Sequence, residues 1–134
     1  MNKTQHYVLG QWAEGKGEGV PVYDSITGEQ FTSTTIEGLD VPSILQYGRD
    51  KGETLRKMTF QERGNMLKSL ALYLVKKKAA FYDLSYRSGA TKIDSWIDIE
   101  GGFGNLFANA SLRKLFPNQA YHVEGDPIDL SHGG

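Results

Sequence analysis

The chain changes its period at Asp40, and that change constrains its fold more than any other feature. Before it, residues 6–36 read as short extended pieces broken by turns. Tyr7-Val8-Leu9 runs into Gly10, and Gly15, Gly17 and Gly19 interleave with charges. Val20-Pro21-Val22-Tyr23 is extended, because Pro21 biases Val20 away from helix. Asp24-Ser25-Ile26-Thr27-Gly28-Glu29 is turn chemistry, and Phe31-Thr32-Ser33-Thr34-Thr35-Ile36 is rich in β-branched residues that suit a pleated surface. A small β-meander is expected here, with Pro21 on an edge because it has no ladder donor.

After Asp40 the spacing is helical. Asp40 is a good N-cap and Pro42 is tolerated in the first turn, so Ile44, Gly48, Lys51 and Leu55 predict a first helix near 41–54. Thr59-Phe60-Gln61-Glu62 is a capping box, in which hydroxyl and carboxylate each satisfy an orphan N–H. Leu67, Leu70, Ala71 and Leu74 follow it at i, i+3, i+4 and i+7, the stripe of an amphipathic helix. Lys76-Lys77-Lys78, then Phe81, Leu84 and Ser85, continue or lightly kink that helix until Gly89 stops it. A further helix is predicted from about Lys92 to Leu115, before Pro117, with Ile93, Trp96, Glu100, Phe103, Phe107 and Ala110 on one face. Asp94, Asp98 and Glu100 come early in it and Arg113 and Lys114 late, which suits the helix dipole.

Glycine makes up 16 of 134 residues, about 12% against a usual figure near 7%, and three of them, Gly101, Gly102 and Gly104, fall inside this last helix. Together they cost roughly 2–3 kcal/mol relative to alanine. A close backbone approach by another element is the simplest expected offset. Beyond Pro117 the chain loops to Asp126, and Ile128-Asp129-Leu130 starts an alternating strand. A strand followed by Ser131-His132-Gly133-Gly134 resembles half a hairpin, which predicts a piece of something longer. The expected organisation is one structural unit, with a β-meander arm over 1–38, a helical segment over 39–116, and a loop with the first strand of a truncated hairpin over 117–134. The fold class is mainly α with a small N-terminal β-meander.

Composition narrows the function classes. Leu, Ile, Val and Phe number 32, about a quarter of the chain, which exceeds the roughly 20% floor for a packed core. Fifteen basic against sixteen acidic residues give a net charge of −1, so the basic excess of a nucleic-acid binder is missing. The sequence has no cysteine, which excludes disulfides, zinc–thiolate sites and thiol nucleophiles. No apolar run approaches the roughly 18 residues of a membrane span, and the first residues lack a signal-peptide pattern. A soluble, cytoplasmic protein without nucleic-acid or membrane partners is expected.

The constellations that could carry chemistry read better as structure. His6, His122 and His132 are scattered, so no metal site is expected. Asp94 and Asp98 share a face at i, i+4, as an acid–base pair would, but a solvated acidic helix end is favoured. The Lys76–Lys78 run reads as a solvated face rather than a phosphate contact. Gly101-Gly102-Phe103-Gly104 lies within a helical pattern, whereas a phosphate-binding glycine loop follows a strand and opens a helix. No catalytic, cofactor-binding or metal-ligating residue is expected in the chain.

Four segments nonetheless resemble the aldehyde dehydrogenases in order: Gly10-Gln11-Trp12, then Tyr23-Asp24-Ser25-Ile26-Thr27-Gly28-Glu29, then Thr59-Phe60-Gln61-Glu62-Arg63 with Met66-Leu67-Lys68, then Arg87-Ser88-Gly89-Ala90-Thr91-Lys92. A narrower resemblance is to the dehydrogenase half of the bifunctional ring-opening enzyme of bacterial phenylacetate degradation. Glu37-Gly38-Leu39-Asp40, Met58–Arg63, Ser88-Gly89-Ala90-Thr91 and, most specifically, Asp94-Ser95-Trp96-Ile97-Asp98-Ile99-Glu100-Gly101-Gly102 carry it. The resemblance implies an N-terminal piece of the α/β aldehyde dehydrogenase fold. The parent would oxidise a CoA-linked semialdehyde with NADP, after a hydratase half opens an oxepin-CoA ring. The family's catalytic cysteine, general-base glutamate and dinucleotide-binding strands lie further along than residue 134. This piece would therefore not catalyse by itself, and its partner would be the remainder of its own polypeptide in a homo-oligomer; the resemblance gives Ile99 and Phe103 a place lining the substrate tunnel, against plain core packing, which is the favoured account of both. The rival reading is a self-standing helical protein-interaction module that uses its Trp- and Phe-bearing face.

Overall fold

A computed structural model describes residues 3–126. Four short strands precede four helices: β1 (Gln5–Val8), β2 (Gln11–Glu14), β3 (Val20–Tyr23), β4 (Gln30–Thr34), α1 (Val41–Lys57), α2 (Phe60–Lys76), α3 (Lys78–Arg87) and α4 (Lys92–Ser111). A 3₁₀ turn, Leu112–Leu115, ends the helical part. The expected strand at Ile128–Leu130 and His132 lie outside the described residues.

The strands form two separate antiparallel hairpins rather than one meander. In β1–β2, Val8 pairs with Gln11 across Leu9 and Gly10, both with left-handed backbone (φ 54° and 81°), as a two-residue hairpin turn requires. In β3–β4 the register slips between Val22 and Tyr23, so Phe31 bulges out of the pairing. Pro21 sits opposite Ser33 on a two-stranded ribbon, where a missing donor is tolerated. The hairpins are tied to each other by non-local bonds instead of a shared ladder. Thr4 N–H donates to Ser33 O at 2.8 Å, and His6 Nε2 meets Thr35 O at 2.9 Å. Asp24 closes the β3–β4 loop by accepting from the Ile26 and Thr27 amides at 2.9 and 3.1 Å, and those bonds hold its carboxyl below the usual carboxylate range.

The helix starts follow their caps. Asp40 accepts from Ser43 N at 3.2 Å to open α1, which runs on to Lys57, past the expected end at 54. Thr59 and Glu62 form the reciprocal box that opens α2, with bonds of 3.3 and 2.7 Å. Lys77 breaks the continuous α2 reading, so that α3 starts anew at Lys78. Gly89, at φ 88°, stops α3 as expected. A second box, Thr91 with Asp94, opens α4.

The predicted face of α4 is rotated from the observed one. Ser95, Phe103 and Ala110 are buried and Ile99 and Leu106 half-buried, whereas Ile93 and Trp96 are 70% and 60% exposed. The physical reason is a hydroxyl pair. Ser95 Oγ lies 2.8 Å from Ser85 Oγ of α3, so a polar residue occupies the helix–helix seam at no hydrogen-bonding cost. The last four residues expected in that helix, Leu112–Leu115, wind as 3₁₀ instead.

Close approach occurs, but not at the glycines where it was expected. A Cβ on Gly101, Gly102 or Gly104 would meet nothing within 4 Å. A Cβ on Gly64 of α2 would lie 2.6 Å from Arg113 Cδ and 2.9 Å from Ala110 O, so the glycine is what lets α2 lie against the end of α4. Among the described residues, Ala71, Phe103 and Ala110 are the buried hydrophobics. That is a small core for about 124 residues, which as a free-standing domain would bury well over half of their surface.

Candidate functional site

The segment from Met58 to His122 closes on itself through Arg63. Its guanidinium donates to Met58 O and Leu55 O at 2.5 and 3.3 Å and to Ala120 O at 3.1 Å, and it lies 4.7 Å from the Phe60 ring centroid. Phe60 stacks on Phe116 at 4.4 Å, and His122 meets the same Phe116 ring edge-on at 5.6 Å. Gln61 Nε2 donates to Arg113 O and Phe116 O, both at 3.1 Å. One arginine and one glutamine thus satisfy carbonyls at and just past the end of α1, within and just after the 3₁₀ turn, and in the following loop. This clasp anchors the chain beyond the helices; it presents no nucleophile.

A second polar cluster joins α3 to α4. Lys78 Nζ sits 2.9 Å from Glu100 Oε1, and Tyr82 OH donates to the same oxygen at 3.3 Å. The Lys78 bond lowers the Glu100 carboxyl, and Glu100 in return raises the Lys78 ammonium. Tyr82 is raised first by burial and then by the Glu100 charge. The Glu100 and Lys78 shifts favour the ion pair already formed, the Tyr82 shift keeps its hydroxyl protonated, and none poises a group to exchange a proton near neutral pH.

The residues singled out from sequence fall as follows. Phe103 is buried with its ring edge 6.0 Å from Phe81, and Ile99 lies one turn earlier on the same packed stripe. Asp94 is engaged as a cap, accepting from Thr91 Oγ1 at 2.6 Å and Thr91 N at 3.3 Å, while Asp98 stays exposed. The lysine run divides: Lys78 pairs with Glu100, and Lys77 lies 5.8 Å from the Tyr73 ring centroid. Gly101-Gly102-Phe103-Gly104 is interior to α4, away from any helix N-terminus. His6 links the two hairpins and His122 packs on Phe116. Among the described residues, no three His, Cys, Asp or Glu side chains gather as metal ligands, and no helix is long and apolar enough to cross a membrane. The Arg63 clasp was invisible to spacing, since its acceptors are backbone carbonyls up to 57 residues away.

The hairpins meet the helices where the second and fourth resembling segments touch. Ser25 N–H donates to Arg87 O at 2.8 Å, and the Arg87 guanidinium lies 5.4 Å from the Phe31 ring centroid. The motifs around Asp24 and around Arg87, far apart in sequence, therefore touch.

No family model matches the chain. It is 34% identical over 131 residues to a 3,4-dehydroadipyl-CoA semialdehyde dehydrogenase of Aromatoleum evansii. That alignment takes in 96% of this chain and 25% of the relative, so the chain spans about a quarter of the length of the curated protein it matches. The chain is thus related in sequence to an aldehyde dehydrogenase.

Proposed function

We propose that this chain is the structural N-terminal segment of an aldehyde dehydrogenase that oxidises a CoA-linked semialdehyde. The observation that carries the reading is the alignment of nearly the whole chain with one quarter of a dehydrogenase whose name specifies that substrate class. Two physical features support it. The sequence contains no cysteine, and the described residues present a clasp and an ion-pair cluster rather than a nucleophile with its base. The exposed apolar side chains, Trp96, Ile93 and Leu115 among them, suit a segment that packs against further polypeptide.

On this reading the hairpins, the Arg63 clasp and the α2–α4 packing hold a wall on which the catalytic part rests. That part would supply the thiolate that attacks the aldehyde and the fold that binds NADP. Phenylacetate degradation, an α/β aldehyde dehydrogenase fold, a cytoplasmic setting and a homo-oligomer extend the proposal. So does a place for Ile99 and Phe103 near the substrate tunnel, where they would act by shaping the packed stripe of α4.

A chimera tests it. The aligned quarter of the Aromatoleum evansii dehydrogenase is replaced by this chain, and NAD(P)H formation with 3,4-dehydroadipyl-CoA semialdehyde is followed. A soluble chimera with turnover is expected. A soluble chimera without turnover contradicts the reading and returns the chain to a self-standing interaction module.

A further inference from the structure

Helix α4 has two apolar stripes, and only one of them is packed. Ser95, Ile99, Phe103, Leu106 and Ala110 face α2 and α3. Ile93, Ile97, Gly101, Gly104 and Ala108 recur at the same helical spacing, offset by about 160° at roughly 100° per residue, and all five are exposed. Ile93 and Ile97 are 70% and 59% exposed, and Cβ positions on Gly101 and Gly104 open onto free space. Asp94, Asp98, Asn105 and Asn109 form a polar strip between the two, where Asn109 bonds back to Asn105 at 2.8 Å, while Ser95 is satisfied within the packed stripe and Glu100 is paired with Lys78 of α3. From Gly101 to Ser111 the helix carries no charge. A helix apolar on both sides belongs inside a protein, and two interior glycines are retained against their helix cost where something must come close.

We propose that the Ile93–Ile97–Gly101–Gly104–Ala108 stripe seats an uncharged, apolar segment from the three quarters of the dehydrogenase polypeptide outside the aligned region. The inference rests on the functional reading above and adds where the contact lies. Two observations favour this occupant over a second copy of the chain. The stripe is about 22 Å long and one helix wide, so it offers on the order of 200–300 Å². A stable dimer needs roughly 800 Å² per partner, whereas a segment of the same polypeptide binds without a bimolecular entropy loss. The relative carries about three times as much chain again beyond the aligned part, ample to cover the face.

The test exploits a change of sign. In the isolated chain, Gly101→Ala and Gly104→Ala add a methyl group to open space on a helix. Each should raise the melting temperature by a few degrees. In the chimera the same methyl groups would meet the seated segment, and the melting temperature should fall. Ile97→Lys should leave the isolated chain's melting temperature unaltered and lower that of the chimera, and Asp98→Ala on the polar strip should be neutral in both. Alanine variants that stabilise an active chimera as much as the isolated chain would overturn the inference while leaving the functional reading intact. A concentration-dependent dimer of the isolated chain that Gly101→Ala dissociates would also overturn it, by making a second copy the occupant. An unaltered chimera that is soluble and inactive would instead sink the functional reading.

Discussion

Replacing Gly64 by alanine should destabilise the chain, although alanine is the better helix former by about 1 kcal/mol. The added Cβ would lie 2.6 Å from Arg113 Cδ, 2.8 Å from Arg113 Cβ and 2.9 Å from Ala110 O. Arg113 Cδ belongs to a flexible side chain and can swing away. Its Cβ and the Ala110 carbonyl cannot move without shifting the end of α4. That end is also held, because Arg113 Nη1 donates to Ala110 O at 2.6 Å and Gln61 Nε2 binds the Arg113 carbonyl at 3.1 Å. Overpacking of this kind costs about 1–3 kcal/mol. Set against the helix gain, a net loss of about 1 kcal/mol is expected, or roughly 3–5 °C in melting temperature for a chain of this size. Gly102→Ala supplies the internal comparison: its Cβ meets nothing within 4 Å, so it should stabilise by about 0.5–1 kcal/mol. Thermal and urea midpoints of the three purified proteins decide the matter. If Gly64→Ala raises the midpoint as much as Gly102→Ala does, α2 and α4 do not approach each other there and the packing account is wrong.

Three other outcomes follow from the same structure. Thr59→Ala and Thr91→Ala should each cost about 1 kcal/mol, read as a shift in urea midpoint, because each removes one reciprocal cap. Arg63→Met keeps the aliphatic stem but removes hydrogen bonds to three carbonyls; it should cost about 2 kcal/mol in the same titration, and an unaltered midpoint would show that the clasp does not hold the chain. The Lys78–Glu100 pair should contribute over neutral pH and fade at both ends. Its Glu100 share is present above the ordinary carboxylate value and is lost as pH falls through the lowered folded value. Its Lys78 share is present below the ordinary lysine value and is lost as pH rises through the raised folded value. Glu100→Gln should flatten both limbs of the stability–pH curve, and an unaltered curve would show that the pair is not formed.

What could be read from sequence was local, and what could not was tertiary. The Asp40 and Thr59 caps depend on residues three apart, so their bonds stand where the pattern put them. Thr91-Lys92-Ile93-Asp94 carries the same kind of local signal, with Asp at the position that Glu62 fills in the α2 box. The joining of the two hairpins turns on Thr4–Ser33 and His6–Thr35 bonds that span about 29 residues and leave no local trace. The face of α4 departs from its hydrophobic pattern because several of its most apolar side chains are not the ones packed inside. Trp96 and Ile93 are on the open side, and Ser95 is buried against a serine of another helix. The glycines mislead in the same way: among the helical ones the crowded residue is Gly64, hidden in a strong amphipathic helix, and the conspicuous group at 101–104 is bare. Of the candidate residues, Phe103 lies on the expected face of α4 and is buried there, whereas Ile99, absent from that face, shares the packed stripe because it lies four residues before Phe103; the helices that cover the stripe leave no trace in the spacing.

The intact mass of the native gene product tests the central claim most directly. If the chain is a segment of a CoA-linked semialdehyde dehydrogenase, peptides of residues 1–134 should come from a polypeptide about four times this length, by the share of the relative that it spans. That polypeptide should contain a cysteine whose alkylation abolishes aldehyde-dependent NADP reduction. A native product with the 14.9 kDa mass of these 134 residues alone would contradict the account.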